Sequence, residues 1–437
     1  MEKILLVTVG GSPQPIITSF RSLEPDRLVF ICSEGPKSSI SQVTGHGKPC
    51  EIRRGEKIID RLPNFVSLFG LENKFDPEND IVLVAEDHQS DCYNKIFAKL
   101  KSLKSENIYL MADYTGGTKC MSIGLAMAGL DFGADLYITT GTRKDLVKIT
   151  GGETTEPVST ALIDLDRKIE QFLPVFLKQY NYSAAIEQLE GLLRNLHLDP
   201  ASKNRVRSLK DICIAFEAWD QFSHEEAWQS IESHLGRPEI KELGLYLKKI
   251  LQSRADIDEE FDTAHGIRGH GFEIVEDLVM NAERRAAQKR YDDAVGRLYR
   301  ALELLVQIHL SKEYEIKTGD ADINKIPPAY RDEYEGLRFS NNDDKIMLGL
   351  KQAYLLLNKF ENDPLGSLYS EVQHKIDDVL VKRNQSLFAH GFKPITAKDY
   401  QMLSTQVVDF MKSAVERLCV KGQKAQFLQF PDNFFEK

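Results

Sequence analysis

The chain has 437 residues, 42% hydrophobic and 28% charged, the make-up of a folded protein with more than one core. A formal charge of −10 excludes a surface that coats nucleic acid by charge alone, though not a local basic groove. Six scattered cysteines form no C-x-x-C pair and no metal-spaced cluster with histidine, as expected of reduced thiols in a cytoplasmic protein. Neither a signal peptide nor an apolar run of membrane-spanning length is expected.

From residue 1 to about 165, short apolar runs alternate with helical segments. The runs KILLVTV, RLVFICS, DIVLVAE, NIYLMAD, ADLYITT and TALIDLD read as strands buried on both faces. Their alternation with helices predicts a doubly wound, largely parallel, Rossmann-like α/β sheet. Each run ends in small or polar residues: Gly10, Gly11 and Ser12; Ser33; Glu86 and Asp87; Asp113 and Thr115; Thr140. Ligands of open α/β sheets bind at these carboxyl ends, so the residues line one candidate site.

The most informative of these stretches is ADYTGGTKCMSIGLAMAG, residues 112–129. A strand ends at Asp113, Gly116 and Gly117 turn the chain, and a small-residue helix follows. Successive N–H groups of Gly116, Gly117 and Thr118 at a helix start can cradle phosphate, with Lys119 as the charge. The nucleotide P-loop spacing is absent, because Lys119 is followed by Cys120. A tight strand-to-helix turn with a solvated Lys119 is the plain alternative, and a bare turn is the same alternative for GGSPQP.

After Asp166 the strand pattern gives way to helices. Trp219, Phe222 and Trp228 are spaced as a core stripe. The stretches YSAAIEQLEGLL and YDDAVGRLYRALELL share a Tyr-x-x-Ala start, at Tyr182 and Tyr291. The polar, glycine-containing stretch FDTAHGIRGHGFE, residues 261–273, marks an internal boundary. The expected domains are thus 1–165, a helical middle domain 166–272, and a second helical domain 273–437. His265 and His270 have no sequence neighbours that make a metal site. Arg297, Arg300 and Glu303 share a helix face and read as surface pairs, and His374 with Asp377 and Asp378 as a solvated face.

YSEVQHKIDDVLVKRNQSLFAHGF carries the sharpest chemistry. Tyr369, Val372, Ile376 and Val379 follow alternating three- and four-residue steps and form one apolar seam. The same steps continue to Arg383, Ser386 and His390, so the seam turns polar. Burying a guanidinium alone is costly, so either the helix breaks here or the seam faces a polar cleft or a second subunit. The plain alternative is a helix end in solvent with His390 as a C-terminal cap before Gly391. The catalytic alternative is an RNase site: a histidine moves the proton of a ribose 2′-hydroxyl, and an arginine stabilises the phosphorane.

RNQSLFAH, residues 383–390, resembles the R-x(4–6)-H motif of HEPN ribonucleases, with the frequent polar residue after the arginine at Asn384. DYTGGTK, residues 113–119, and the Gly10-Gly11-Ser12 turn resemble the ligand loops of CARF domains. The order of the two is similar to that of CRISPR-associated CARF–HEPN ribonucleases of type III systems. The resemblance implies a homodimer that binds a cyclic oligoadenylate, tetra- or hexa-adenylate, at Gly10, Gly11, Ser12, Ser33, Asp113, Thr115, Gly116, Gly117, Thr118, Lys119 and Thr140. It further implies cleavage of single-stranded RNA at Arg383, Asn384 and His390, with no metal or other cofactor, no DNA and no membrane partner. The competing class is a non-enzymatic nucleotide sensor whose helical half binds a partner protein.

Overall fold

Five of the six apolar runs form strands in a computed structural model, which describes residues 1–35, 37–103, 107–141, 143–145, 148–149, 152–158, 165–195, 198–338, 344–386, 391–419 and 423–434. These are β1 (Glu2–Thr8), β2 (Arg27–Ser33), β3 (Ile81–Val84), β4 (Ile108–Asp113) and β5 (Asp135–Thr140). Helices α1 (Gln14–Leu23), α2 (Gln89–Leu103) and α3 (Lys119–Phe132) lie between them. A sixth strand, β6 (Thr154–Pro157), pairs antiparallel with β5 at the edge; its polar sequence gave no apolar run to read. The sheet order is β6-β5-β4-β1-β2-β3, with every pair except the last-added edge parallel.

The continuous apolar runs follow from this double burial. Ile4 and Leu6 of β1 pack with Val29, Ile31, Ile96 and Leu125 on one side, whereas Leu5 and Val7 pack with Ile16, Leu28 and Phe30 on the other. Alternate residues serve two cores, so neither set is polar. The expected strand TALIDLD, residues 160–166, falls mostly outside the described residues. Residues 160–164 lie outside the described residues, and Leu165 and Asp166 begin a helical segment.

The chain divides into two compact units, Met1–Arg167 with Arg194–Asp199, and Lys168–Leu193 with Pro200–Lys437. The second unit is helical throughout its regular structure. Its helices include α4 (Tyr182–Asn195), α5 (Pro200–Asp220), α6 (His224–Ile231), α7 (Pro238–Ala255), α8 (Glu273–Ala287), α9 (Tyr291–Tyr314), α10 (Leu350–Leu357), α11 (Pro364–Gln385) and α12 (Ala397–Leu418). Both Tyr-x-x-Ala stretches start helices, α4 and α9. The Trp219–Phe222–Trp228 stripe is not one helix face. Phe222 adopts a left-handed conformation (φ 65°) and separates α5 from α6, while Trp219 and Trp228 are buried on either side.

Helix α8 runs through this core carrying charge. Arg284 is wholly buried between Asp220 (Nε–Oδ1 2.7 Å) and Asp277 (Nη2–Oδ1 3.4 Å), under the Phe430 ring at 4.0 Å. Asp277 also accepts from Trp219 Nε1 at 3.1 Å and meets His224 Nε2 at 3.2 Å. Each buried charge is thus matched by an opposite one and by hydrogen bonds, the condition under which such burial is tolerated. His270 is likewise buried against Glu273 and Glu276. Among the described residues no helix is long and apolar enough to cross a membrane, and no group of three or more His, Cys, Asp or Glu side chains is placed to hold a metal ion.

Candidate functional site

In the α/β unit, β1 pairs with β2 on one side and β4 on the other, so β1 and β4 are neighbours at the point where strand order reverses. Val7 lies opposite Asp113 in the register, which brings the Gly10 turn against the Gly116–Gly117 turn. Contact there is backbone on backbone. A Cβ at Gly10 would lie 2.5 Å from the Gly117 nitrogen, and one at Gly116 would lie 2.3 Å from the Thr8 carbonyl oxygen. Gly117 also has φ +76°, a conformation that L side chains resist. The hydroxyls of Thr8 and Ser122 each donate to the Gly116 carbonyl at 2.7 Å, fixing the turn from both sides.

Helix α3 begins under this turn. Thr118 is its N-cap: its Oγ1 accepts from the Met121 N–H at 3.3 Å and donates to the Glu86 carbonyl. The first-turn N–H groups carry the positive end of the helix dipole to the carboxyl edge of the sheet, where Lys119 is exposed. Gly11, Ser12 and Thr140 are also exposed.

Two of the sequence-selected residues face inward instead. Asp113 is buried: one oxygen accepts from the Thr115 N–H (2.9 Å) and hydroxyl, the other from Thr139 Oγ1 at 2.8 Å. Thr115 Oγ1 in turn accepts from the Thr139 N–H at 2.7 Å. The pair therefore ties β4 to β5 and holds the loop in shape. Ser33 is clasped by its own loop, its hydroxyl accepting from the Ser39 N–H at 3.0 Å. Gln42, which carried no signal in the sequence, donates from Nε2 to the Gly10 carbonyl at 2.7 Å and braces the first turn.

In the helical unit, α11 starts at a fixed point and ends at Gln385. Its N-cap Asp363 accepts from the Gly366 N–H at 2.6 Å and from the Tyr314 hydroxyl at 2.8 Å, with His309 Nε2 at 2.7 Å. Burial pushes the Asp363 carboxyl up, but the His309 and Gly366 hydrogen bonds outweigh it and hold the group below its ordinary range. The apolar seam is present: Tyr369 stacks on Tyr354 at 4.5 Å, and Ile376 and Val379 are buried.

The next member of the seam, Arg383, is half-buried. Its guanidinium lies over the Tyr299 ring of α9, 4.2 Å from the centroid, and Nη1 donates to the exposed Asn384 Oδ1 at 3.1 Å. The cation–π contact holds the guanidinium over the ring. Burial, then Glu303, pushes the Tyr299 hydroxyl up, so the ring stays neutral beneath the cation.

The helix breaks just past Arg383. Ser386 is extended (φ −80°, ψ 165°) and buried, and its N–H bonds back to the Arg383 carbonyl at 3.0 Å. The C-cap is therefore Ser386. His390 itself lies outside the described residues, as do 387–389. The chain is pinned on its far side. Gly391 N–H bonds to the Ser386 carbonyl and Lys393 N–H to the Gln385 carbonyl, both at 3.2 Å, and Ile395 N–H bonds to Asp292 Oδ2 at 3.1 Å. Gly391 and Lys393 thus return to the end of α11, whose helix stops at Gln385.

Arg300 and Glu303 form the expected exposed pair (3.4 Å), and Asp377 pairs with Lys351 at 2.9 Å. Arg297 does not: it is half-buried, bonded to Asn281 of α8 and to Asp293.

The chain thus combines a parallel sheet with interlocked glycine turns at its carboxyl edge and a helical unit that carries Arg383 and Asn384 at a broken helix end. Residues 265–414, which include both α11 and the turn after it, match the family model described as the Csm6 HEPN domain. The fold is similar to that of Enterococcus italicus Csm6 bound to cyclic hexa-2′-fluoro-hexa-dAMP, with a TM-score of 0.58 and 14% identity, over 96% of this chain and 94% of that one. No curated protein matches the chain by sequence.

Proposed function

We propose that this chain is a cyclic-oligoadenylate-activated endoribonuclease of type III CRISPR defence, acting in the cytoplasm as a homodimer. Its domains are 1–165 for ligand binding, 166–272 as a helical middle and 273–437 for cleavage. A ring of phosphates is held by the Gly10–Ser12 and Thr115–Lys119 loops, with Ser33 and Thr140 at neighbouring strand ends. The observation that carries the reading is the end of α11: Arg383 over the Tyr299 ring and bonded to Asn384, just before the helix stops. The Csm6 HEPN match over this segment and the cyclic hexanucleotide on the similarly folded Csm6 give further support.

The chemistry needs no metal. His390 takes the proton of the ribose 2′-hydroxyl, which attacks the adjacent phosphorus; Arg383 neutralises the charge that gathers on the phosphoryl oxygens, and Asn384 orients them. The leaving 5′-oxygen takes a proton, and the products end in a 2′,3′-cyclic phosphate.

The test is cleavage of single-stranded RNA by the purified protein, with and without cyclic tetra- and hexa-adenylate. Cleavage is expected only with a ring present, undiminished by EDTA, and with cyclic phosphate ends. Ring binding without any cleavage would overturn the reading in favour of a sensor that acts through a partner.

A further inference from the structure

The helical unit holds a second polar cavity, of about 540 Å³, where the turn before α4 meets the ends of α5 and α8 and the start of α9. Arg383 is not among its lining residues. Three arginines are: Arg285 and Arg297 in its wall, and Arg290, exposed at its edge. They crowd one another. Burial, then Arg285, Arg290 and Arg284, pulls Arg297 down to about 10, and burial, then Arg290, lowers Arg285. The carboxylates nearby are already engaged: Asp220 by Asn281, Arg284 and Arg285, and Asp293 by Arg290 and Arg297.

Two buried donors in the lining are left over. Arg285 is 8% exposed and Tyr182 is 2% exposed, yet Arg285 Nε and the Tyr182 hydroxyl have no hydrogen-bond partner among the described residues. Leaving such groups unpaired costs free energy that a bound acceptor would recover. Burial pushes the Tyr182 hydroxyl well above its ordinary range, so it remains a donor. Spare N–H and O–H donors beside a cluster of arginines call for a ligand with several acceptor oxygens, which describes a phosphate.

The rest of the lining narrows the class. Glu217 accepts from the Ser183 hydroxyl and, among the described residues, pairs with no arginine, so its remaining lone pairs suit ribose hydroxyls rather than phosphate. The side-chain amides of Gln179, Asn181 and Gln221 add donors and acceptors of the kind base edges require. The volume falls within the roughly 300–1,000 Å³ of small-molecule pockets. We propose that this cavity binds a nucleoside monophosphate, its phosphate on Arg285, Arg290, Arg297 and Tyr182 and its ribose on Glu217.

The proposal concerns binding and is independent of whether the chain cleaves RNA. The full-length protein is titrated calorimetrically with AMP, GMP, CMP, UMP, adenosine and inorganic phosphate. At least one nucleotide is expected to bind, with phosphate and adenosine each about tenfold weaker or more. Arg290→Ala removes an exposed side chain and is expected to weaken nucleotide and phosphate alike, roughly fivefold. Tyr182→Phe keeps the ring packed on Phe216 and Phe430 and removes only the hydroxyl, for a loss of about tenfold. Glu217→Gln should weaken the nucleotide and spare phosphate. No binding of any nucleotide at millimolar concentration would overturn the assignment. So would phosphate binding as tightly as the nucleotides, affinity untouched in both Arg290→Ala and Tyr182→Phe, or affinity abolished by Arg383→Ala or Lys119→Ala, which would place the ligand elsewhere.

Discussion

The glycine turns of the α/β unit and the arginine end of α11 both sit where regular structure stops, but they are built from different material. At Gly10, Gly116 and Gly117 the main chain itself makes the surface, and the close approach of two turns leaves no room for a Cβ. At Arg383 the surface is made by side chains from far apart in the chain: Tyr299 of α9 lies beneath the guanidinium, and Asp292 anchors the return at Ile395. A site made of backbone fails when its shape is filled. A site made of side chains fails when one chemical group is removed, while the fold around it persists.

The largest effect expected on this contrast is at Arg383 and His390. Replacing either by alanine should reduce activated RNA cleavage by about 10²–10⁴-fold. Because Arg383 is half-buried at a helix end, the melting temperature should barely move. Cleavage of a fluorogenic RNA, read beside a melting curve and ring binding, checks all three. Near-native cleavage in either variant would remove that residue from the chemistry.

Gly116→Val is the opposite case. Its side chain would be driven onto the Thr8 carbonyl, so ring binding should be lost together with about 2–3 kcal/mol of stability. Lys119→Ala separates the two losses: the side chain is exposed, so ring affinity should fall roughly tenfold with no change in stability. A Gly116→Val chain that binds normally would show that the turns are only a structural crossing.

Tyr299 comes next, because it touches the arginine rather than the RNA. Tyr299→Phe keeps the aromatic face and should retain cleavage, whereas Tyr299→Leu should lose roughly tenfold, mostly in kcat. Equal loss in both variants would assign the effect to the hydroxyl and Glu303 instead of to the stack.

These cases also explain what was legible in the sequence. Strands β1 and β2 announce themselves because they are apolar on both faces, and the glycine turns because only glycine fits where they meet. The seam of α11 was readable to Val379, since a helix repeats its spacing. Whether the helix then breaks stayed open beside a polar cleft or a second subunit, because the break at Ser386 involves backbone bonds from Gly391 and Lys393. The role of Arg297 was not readable, because its partner Asn281 lies on another helix. The buried charges of α8 were hidden for the same reason: Arg284 reads as a surface residue until Asp220 and Asp277 are brought to it by folding. Asp113 is the converse case: its place at a strand end makes it a candidate ligand residue, and only the fold shows that its oxygens bond to Thr115 and Thr139.

The smallest effect expected lies just beyond the site, where α12 begins. Thr396 and Asp399 form a reciprocal capping box, and Asp399 also takes the Lys382 ammonium of α11 at 2.8 Å. The Lys382 hydrogen bond, then that of Thr396, pulls the Asp399 carboxyl down to about 2. Since that lies below the roughly 3.9 of an unfolded aspartate, the stabilisation is complete above the unfolded value and disappears as pH falls through about 2. Both partners are a third exposed, so solvent screens the ion pair and most of the effect belongs to the cap. Asp399→Ala should therefore cost about 1 kcal/mol near neutral pH, as a lost helix cap does, and Lys382→Ala less. Thermal melts at a series of pH values measure this directly: the gap between the native chain and Asp399→Ala should close as the solution is acidified. The cap holds the far end of the His390 segment, so cleavage should decline only modestly in Asp399→Ala. A loss as large as that of Arg383→Ala would mean that the turn after α11, and not the stack on Tyr299, sets the geometry of the site.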